Sequence, residues 1–352
     1  MTLEQVLERI PPLDAEAMAQ AKQHWDALAK PLHGLGDLED ILIRIAGICR
    51  TPRIDLRNKA VVVMCADNGV VAEGISQSGQ DVTQIITENL SKGTSTVCHM
   101  ARAAGADVIP VDIGVASDIH GSGVVHRKIS RGTHNFAKQP AMSRDQAVQA
   151  IGVGIETALL CKQHGYDVVA TGEMGIGNTT STAAVTAALL HAPVELVTGR
   201  GSGLTSEGLV HKIQVVTHAL EQWQPNQHDP IDILSKVGGY DLCGLTGLFL
   251  GGALCGLPMI IDGVISSAAA LCAVRLCPTV RDYLIASHHT AEPAGVLLEQ
   301  ALDVKPIIDA HMALGEGTGA VLLFGMLDAA ASLYCNGNTF DDSNIEAYQP
   351  LS

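Results

Sequence analysis

The chain has 352 residues, long enough for a large core in one main domain plus a smaller subdomain. A formal net charge of -15 argues against nucleic acid or an anionic membrane surface as partner, though a glycine loop with a few Lys or Arg can still bind a small anion. Hydrophobic residues make up 47%, aromatics only 3%, and glycines number 36, which points to a tightly packed α/β enzyme with a core of Ala, Val, Leu and Ile.

Residues 1–30 read as helical, broken at Pro11-Pro12, with Asp14 placed to cap a helix that runs to residue 28. An amphipathic helix follows over 38–48, then a strongly β-type run over 59–65. Residues 82–104 read as helix interrupted at Gly93, 107–113 as a second strand, and 124–129 as a further one. Ser143 and Gln146 form a capping-box signature at the head of a helix over 143–164. A strand over 166–171, a glycine-rich loop over 172–180 and a helix over 181–190 come next. Residues 193–198 read as a strand, 208–221 and 232–237 as helices, and 247–256 as a small-residue helix. A strand over 258–262, a helix over 266–276, a strand over 283–286 and helices over 291–334 with a break at Gly315 complete the chain. This alternation predicts an α/β fold, a mostly parallel, Rossmann-like sheet flanked by helices. The two chain ends, 1–30 and about 290–352, are expected to form a small helical domain carrying the Glu316 loop, beside an α/β body over 31–289.

Five loops carry chemistry. Cys65-Ala66-Asp67-Asn68-Gly69 ends a strand, where ligands bind in parallel sheets; the alternative is a turn with a helix cap. The loop Gly172-Glu173-Met174-Gly175-Ile176-Gly177-Asn178 stands between strand and helix, a place suited to phosphate, because glycines admit the anion and free N–H groups point at it. Glu173 is out of place in a plain phosphate cradle and suggests a partner hydroxyl, ribose or proton; alternatively the glycines serve packing alone. Gly199-Arg200-Gly201-Ser202-Gly203 is a second candidate phosphate loop, with Lys212 on the next helix as a point charge, or else a flexible surface loop. Ser287-His288-His289-Thr290-Ala291-Glu292 reads as a ligand-facing loop or a plain turn, since adjacent histidines rarely chelate one ion. Glu316, flanked by Gly315 and Gly317 ahead of an apolar helix, suits a general base, or an acid favoured by the helix N-terminus.

Missing signals narrow the field. No Gly-x-x-x-x-Gly-Lys-Ser/Thr loop, dinucleotide fingerprint or nucleophile elbow is present. The nine cysteines show no Cys-x-x-Cys or metal-type spacing, so no metal is expected, and their odd number fits a reducing cytoplasm. The acidic, polar start is no signal peptide, and the longest apolar runs, interrupted by Gly, Pro or Asp, fall short of a membrane span. Two rival activities stay in view on the α/β pattern: a nucleotide-dependent oxidoreductase and a nucleotide-binding regulatory protein.

Taken together, Lys30-Pro31 with Leu35-Gly36-x-Leu38-Glu39, Cys65-Ala66-Asp67-x-Gly69-Val70, Gly172-Glu173-x-Gly175 with Asn178-Thr179-Thr180, Lys236-Val237-Gly238-Gly239, Leu257-Pro258 with Asp262-Gly263, Ser287-His288 and Leu314-Gly315-Glu316-Gly317 resemble the nicotinate-nucleotide–dimethylbenzimidazole phosphoribosyltransferase (CobT) family over nearly the whole chain. The resemblance implies a parallel sheet with a small domain built from both ends, a homodimer, and no cofactor. It implies transfer of phosphoribose from nicotinate mononucleotide to 5,6-dimethylbenzimidazole, giving α-ribazole 5′-phosphate and nicotinate with inversion. It further implies Glu316 as general base, Glu173 at the ribose hydroxyls, Gly175, Ser202 and Lys212 at the phosphate, and Ser78 near the benzimidazole; Asn178, Ser287 and Asp67 complete the expected substrate-binding set. The family pattern has a Gln on the helix after Ser78 where this chain has Ile85-Ile86, with Gln84 just before, which leaves other benzimidazoles, adenine or a phenol open as acceptors.

Overall fold

A computed structural model describes residues 1–348. The first helices are α1 (Leu3–Leu7), α2 (Ala15–Ala27) and α3 (Asp37–Cys49). Asp14 caps α2 as expected, its Oδ1 accepting from the N–H groups of Glu16 and Ala17 at 3.0 and 2.9 Å. Then come β1 (Lys59–Ala66), α4 (Asp81–Lys92), α5 (Thr96–Ala103), β2 (Ala106–Gly114) and β3 (Val125–His126). The Ser143–Gln146 capping box opens α6 (Arg144–Gln163). The middle of the chain forms β4 (Val168–Met174), α7 (Asn178–Leu190), α8 (Val194–Val197), α9 (Ser206–Trp223), α10 (Pro230–Val237) and α11 (Tyr240–Cys255). The last third forms β5 (Met259–Ile261), α12 (Val264–Leu276), β6 (Leu284–Ala286), β7 (His288–Thr290), α13 (Gly295–Leu302), β8 (Ile308–Met312) and α14 (Thr318–Asn336).

Six strands form one parallel sheet in the order β3-β2-β1-β4-β5-β6, and β7 and β8 pair in parallel as a separate ribbon. Every residue of β1 is buried, as expected of a central strand with helices on both faces. Alternate residues serve different cores. Ala60, Val62 and Met64 face α6, α7, α11 and α12, while Val61, Val63 and Cys65 face α2, α3, α5 and α14. On the first face α11 lies directly on α6. A methyl added at Gly247 would stand 1.9 Å from the Ile151 carbonyl oxygen, and one at Gly154 1.9 Å from that of Gly244. Bare backbones meet there, and an added side chain would cost about 1–3 kcal/mol or more in overpacking. On the second face the chain ends meet: Trp25 and Tyr334 lie edge to face at 5.1 Å, and Leu28 bridges Thr339.

Four sequence expectations are corrected. Residues 193–198 hold the short helix α8 rather than a strand, with Thr198 Oγ1 donating to the Val194 carbonyl at 2.7 Å. Gly172 and Glu173 belong to β4, so the loop begins at Gly175. The stretch 291–334 is not all helix, because β8 lies within it and pairs with β7. Finally, α14 is long and apolar enough to cross a membrane by length and composition, contrary to the expectation from interrupted runs. Half of it is buried, with Ala320, Val321, Leu323, Phe324 and Leu327 packed on the sheet, as in a core helix.

Candidate active site

The strand order reverses direction between β1 and β4: from β1 the chain crosses on one face to β2, and from β4 on the other face to β5. In such sheets the crevice beyond the carboxyl ends of the two strands is the natural ligand site. A cavity of about 260 Å³ opens there, bordered by Glu173, Gly175, Gly201, Asp262, His288 and Glu316. A larger open depression of about 890 Å³ lies beside the amino end of β1, lined by Arg53, Arg57, Asp328 and Tyr334; among the described residues no strand delivers its carboxyl end there.

One end of the cavity is built for an anion. Gly175 is needed because a methyl on it would stand 2.2 Å from the Ala66 carbonyl oxygen. Gly177, at φ 91°, starts α7 without a side-chain cap; the Asn178 and Thr180 N–H groups donate to the Gly175 and Gly177 carbonyls at 3.1 and 2.9 Å, which leaves the Thr179 N–H of this 13-residue helix available to a ligand. Lys212 on α9 reaches this point from below. It is 1% exposed, and its Nζ donates to Thr179 Oγ1 at 2.8 Å and to the Gly199 carbonyl at 3.1 Å. Burial pulls its pKa down to about 8, against the opposing pull of Glu292. Ser202 and Arg200 line the same end, and the guanidinium is tied back to the Leu204 carbonyl at 2.8 Å.

The other end collects carboxyl groups. Glu173 is buried in β4, and the Asn178 side-chain amide donates to its Oε2. Burial, then Asp241 and Asp262, push its pKa up to about 8, so it holds its proton at neutral pH. Asp262 follows β5 and caps α14: its Oδ1 accepts from Gly319 and Ala320 N–H at 2.8 and 3.1 Å, its Oδ2 from Gly317 N–H at 3.2 Å. Burial raises Asp262 to about 6 despite those donors. The cap anchors the turn in front of α14, where Gly315, Glu316 and Gly317 all have positive φ, of 90, 59 and 92°. A glutamate in the left-handed region is strained by about 1–2 kcal/mol, the kind of cost that clusters at functional sites. Its Oε2 accepts from the Val97 N–H at the start of α5 at 3.1 Å, while Oε1 has no protein partner among the described residues. The turn rests on Gly172, where a methyl would stand 2.5 Å from the Glu316 carbonyl oxygen. Ile75, Met174, Ile176, Val264 and Leu314 give the cavity an apolar border.

The expected residues divide. Glu316, Glu173, Gly175, Asn178 and Ser202 border the cavity, and Lys212 lies directly beneath it. Ser78, Ser287 and Asp67 do not reach it. Ser78 is turned aside, and Ser76, whose Oγ accepts the Ser78 N–H at 3.2 Å, takes the place on the wall. Ser287 is fully buried behind its neighbour, donating to the Ile261 carbonyl at 2.7 Å. Asp67 faces the loop after β2, accepting from Ala116 N–H at 2.8 Å. Ile85 is half exposed, and Gln84 bonds the Asp118 carbonyl at 3.3 Å, so neither enters the cavity. Of the remaining cavity residues, His288, Thr290 and Glu292 belong to the 287–292 segment read as ligand-facing or a plain turn, whereas Thr179 and Asp262 stood in the family motifs with no site role given to them. His288 and Thr290 alternate along β7 and Glu292 lies in the bend just beyond it, so the period-2 signal is hidden by the shortness of the strand. Among the described residues no group of three or more His, Cys, Asp or Glu is arranged to hold a metal ion.

Comparison with known proteins agrees with this geometry. The family model DBI_PRT, described as phosphoribosyltransferase, matches residues 10–345. The nicotinate-nucleotide–dimethylbenzimidazole phosphoribosyltransferase of Ruminiclostridium cellulolyticum is 45% identical over 351 residues, covering 100% of both chains. That of Acetivibrio thermocellus is 46% identical over 346 residues, covering 98% of this chain and 99% of the relative. The crystal structure of CobT from Thermus thermophilus superposes with a TM-score of 0.89 at 40% identity, covering 95% of this chain and 100% of that one. A sheet that reverses at β1 and β4, a helix-and-lysine anion site and a strained glutamate turn, on a chain that these relatives match end to end, make it a member of the nicotinate-nucleotide–dimethylbenzimidazole phosphoribosyltransferase (CobT) family.

Proposed function

We propose that this chain transfers the phosphoribosyl group of nicotinate mononucleotide to 5,6-dimethylbenzimidazole, releasing nicotinate and forming α-ribazole 5′-phosphate for cobalamin assembly. The observation that carries the mechanism is Glu316, held at φ 59° with one carboxylate oxygen anchored and the other free beside the cavity. In this reading Gly175, Ser202, the α7 N-terminus and Lys212 grip the phosphate. The flat base lies against Ile176, Met174 and Leu314. One azole nitrogen forms the new bond to C1′, on the face opposite the nicotinate. The C1′–pyridinium bond breaks and its electron pair neutralises the ring nitrogen. The azole N–H proton passes to Glu316. Glu173, neutral at pH 7, offers both a donor and an acceptor to the ribose, and Asn178 keeps it oriented.

The division of labour in this reading assigns 31–289 to substrate binding and the two chain ends, 1–30 and 290–352, to presentation of the Glu316 loop. It also includes a cytoplasmic homodimer, tested by light scattering: a mass twice that of the chain is expected, and a monomer would remove it. The reaction itself is tested by incubating the protein with nicotinate mononucleotide and a panel of bases and following products by mass spectrometry. Glu316→Gln is expected to lower turnover by about two or more orders of magnitude while leaving nucleotide affinity nearly intact. Full turnover in the purified variant would take Glu316 out of the mechanism.

A further inference from the structure

His288 and Thr290 alternate along β7, Glu292 lies in the bend just beyond it, and the three form one wall of the cavity. The wall runs from Asp262 and α14 at one end to the phosphate grip at the other. At the α14 end the His288 ring lies over Gly319, where a methyl would meet Nδ1 at 2.0 Å. At the far end Glu292 packs on Gly199, where a methyl would meet its Oε2 at 1.8 Å.

The ring's tautomer follows from its neighbour. Ser287 Oγ lies 2.7 Å from the Ile261 carbonyl oxygen and 2.9 Å from His288 Nδ1. The hydroxyl has one proton, and a carbonyl oxygen at 2.7 Å must receive it. Ser287 Oγ therefore accepts from His288, which places the imidazole proton on Nδ1. Nε2 is left as a bare lone pair. It has no hydrogen-bond partner among the described residues, and it sits on the side of Gly263, another cavity residue, where an added methyl would be 4.0 Å away. Burial, then His289, lower the His288 pKa, consistent with a neutral ring.

A bare nitrogen on the wall calls for a donor in the ligand. In the reaction proposed above, on which this inference rests, the nicotinate carboxylate and the phosphate dianion only accept. The azole N–H is taken by Glu316. Ribose hydroxyls are the donors that remain, and the sugar lies between the phosphate grip and the Glu316 turn, as His288 does. We propose that His288 Nε2 accepts a hydrogen bond from a ribose hydroxyl of the nucleotide, making it a specificity residue for the sugar, with Ser287 as its positioning residue.

Two measurements test this. The first compares nicotinate mononucleotide with its 2′-deoxy and 3′-deoxy analogues on the wild type, His288→Ala and His288→Gln. With one analogue the wild type is expected to lose about tenfold or more in kcat/KM, His288→Ala to lose a similar factor with the natural nucleotide, and the two losses not to multiply. His288→Gln, whose amide oxygen can accept, should recover part of the loss. Losses that multiply for both analogues, or a wild type indifferent to both, would overturn the assignment. The second is nitrogen-15 NMR of the unliganded wild type, expected to show His288 protonated at Nδ1 and bare at Nε2; the opposite tautomer would overturn it whatever the variants do. A wild type that makes no product from the natural nucleotide would instead remove the proposed reaction and leave the tautomer result standing.

Discussion

Lys212 shows how a single side chain is made ready for a dianion. An ordinary surface lysine is charged well past pH 9, but this one is sealed beneath the cavity and titrates near 8. A phosphate arriving beside it favours the charged form and raises the pKa in the complex. By linkage, nucleotide affinity is full below the free pKa and declines as pH rises above about 8. Calorimetric titration with nicotinate mononucleotide between pH 7 and 9.5 should show that decline. Lys212→Ala should bind about tenfold or more weakly at pH 7 and lose the decline over the same range. A variant with the wild-type slope would assign the titration to another group. At this scale the sequence was informative about residue type and less so about direction. Glu173 and Glu316 could be picked out because a lone charge among glycines is conspicuous, and Lys212 because it is a cation on the helix that follows a glycine loop. Ser78 against Ser76, and Ser287 against His288, could not, because a shift of one or two positions in a loop or short strand turns a side chain away, and only the pairing of β7 with β8 settles which one faces the cavity.

The Glu316 turn is held by three elements rather than by its own sequence. Asp262, at the end of β5, caps α14 behind it; the start of α5 supplies the Val97 N–H in front; Gly172 in β4 lets the turn rest on the sheet. Gly172→Ala tests this arrangement cleanly. The residue lies inside a strand, where alanine is tolerated, but its methyl would collide with the backbone of Glu316. The expected outcome is a folded protein with a thermal midpoint lowered by a few degrees, and a kcat reduced about tenfold or more with a smaller change in the nucleotide KM. An unchanged kcat would mean that the turn does not need this seat. Elements were legible where packing and periodicity agree. The cores of β1, β2 and β4 are continuous apolar runs, and the caps of α2 and α6 are written in Asp14 and Ser143. Residues 193–198 failed because three apolar residues around Glu195 fit a helical turn as well as a strand. β8 failed because Asp309, Ala310 and His311 are exposed, so the strand has no buried face to announce it.

At the scale of the whole molecule, the reversal of strand order places the loops after β1, β4 and β5 around one crevice, which Glu173 and Asp262 border, with Asp241 of α11 buried behind them. Glu173, Asp241 and Asp262 are buried together, each raised chiefly by burial, to about 8, 6 and 6. Such a cluster makes the folded state hold protons that the unfolded chain releases. The sign follows: for a carboxyl group raised on folding, the contribution to stability is greatest below its unfolded pKa and is lost as pH rises to its folded one. For Glu173 that window runs from 4.5 to about 8, and for the two aspartates from 3.8 to about 6. Between pH 6 and 8 Glu173 therefore dominates, and the protein should become less stable across that interval, by on the order of one to a few kcal/mol. Glu173→Gln keeps the shape and removes the titration. Scanning calorimetry of the two proteins should show the variant gaining on the wild type as pH rises from 5 to 8, with no further gain above that. A difference that stays constant from pH 5 to 9 would mean that Glu173 is already ionised in the folded protein, and would remove the neutral carboxyl group from the ribose end of the site.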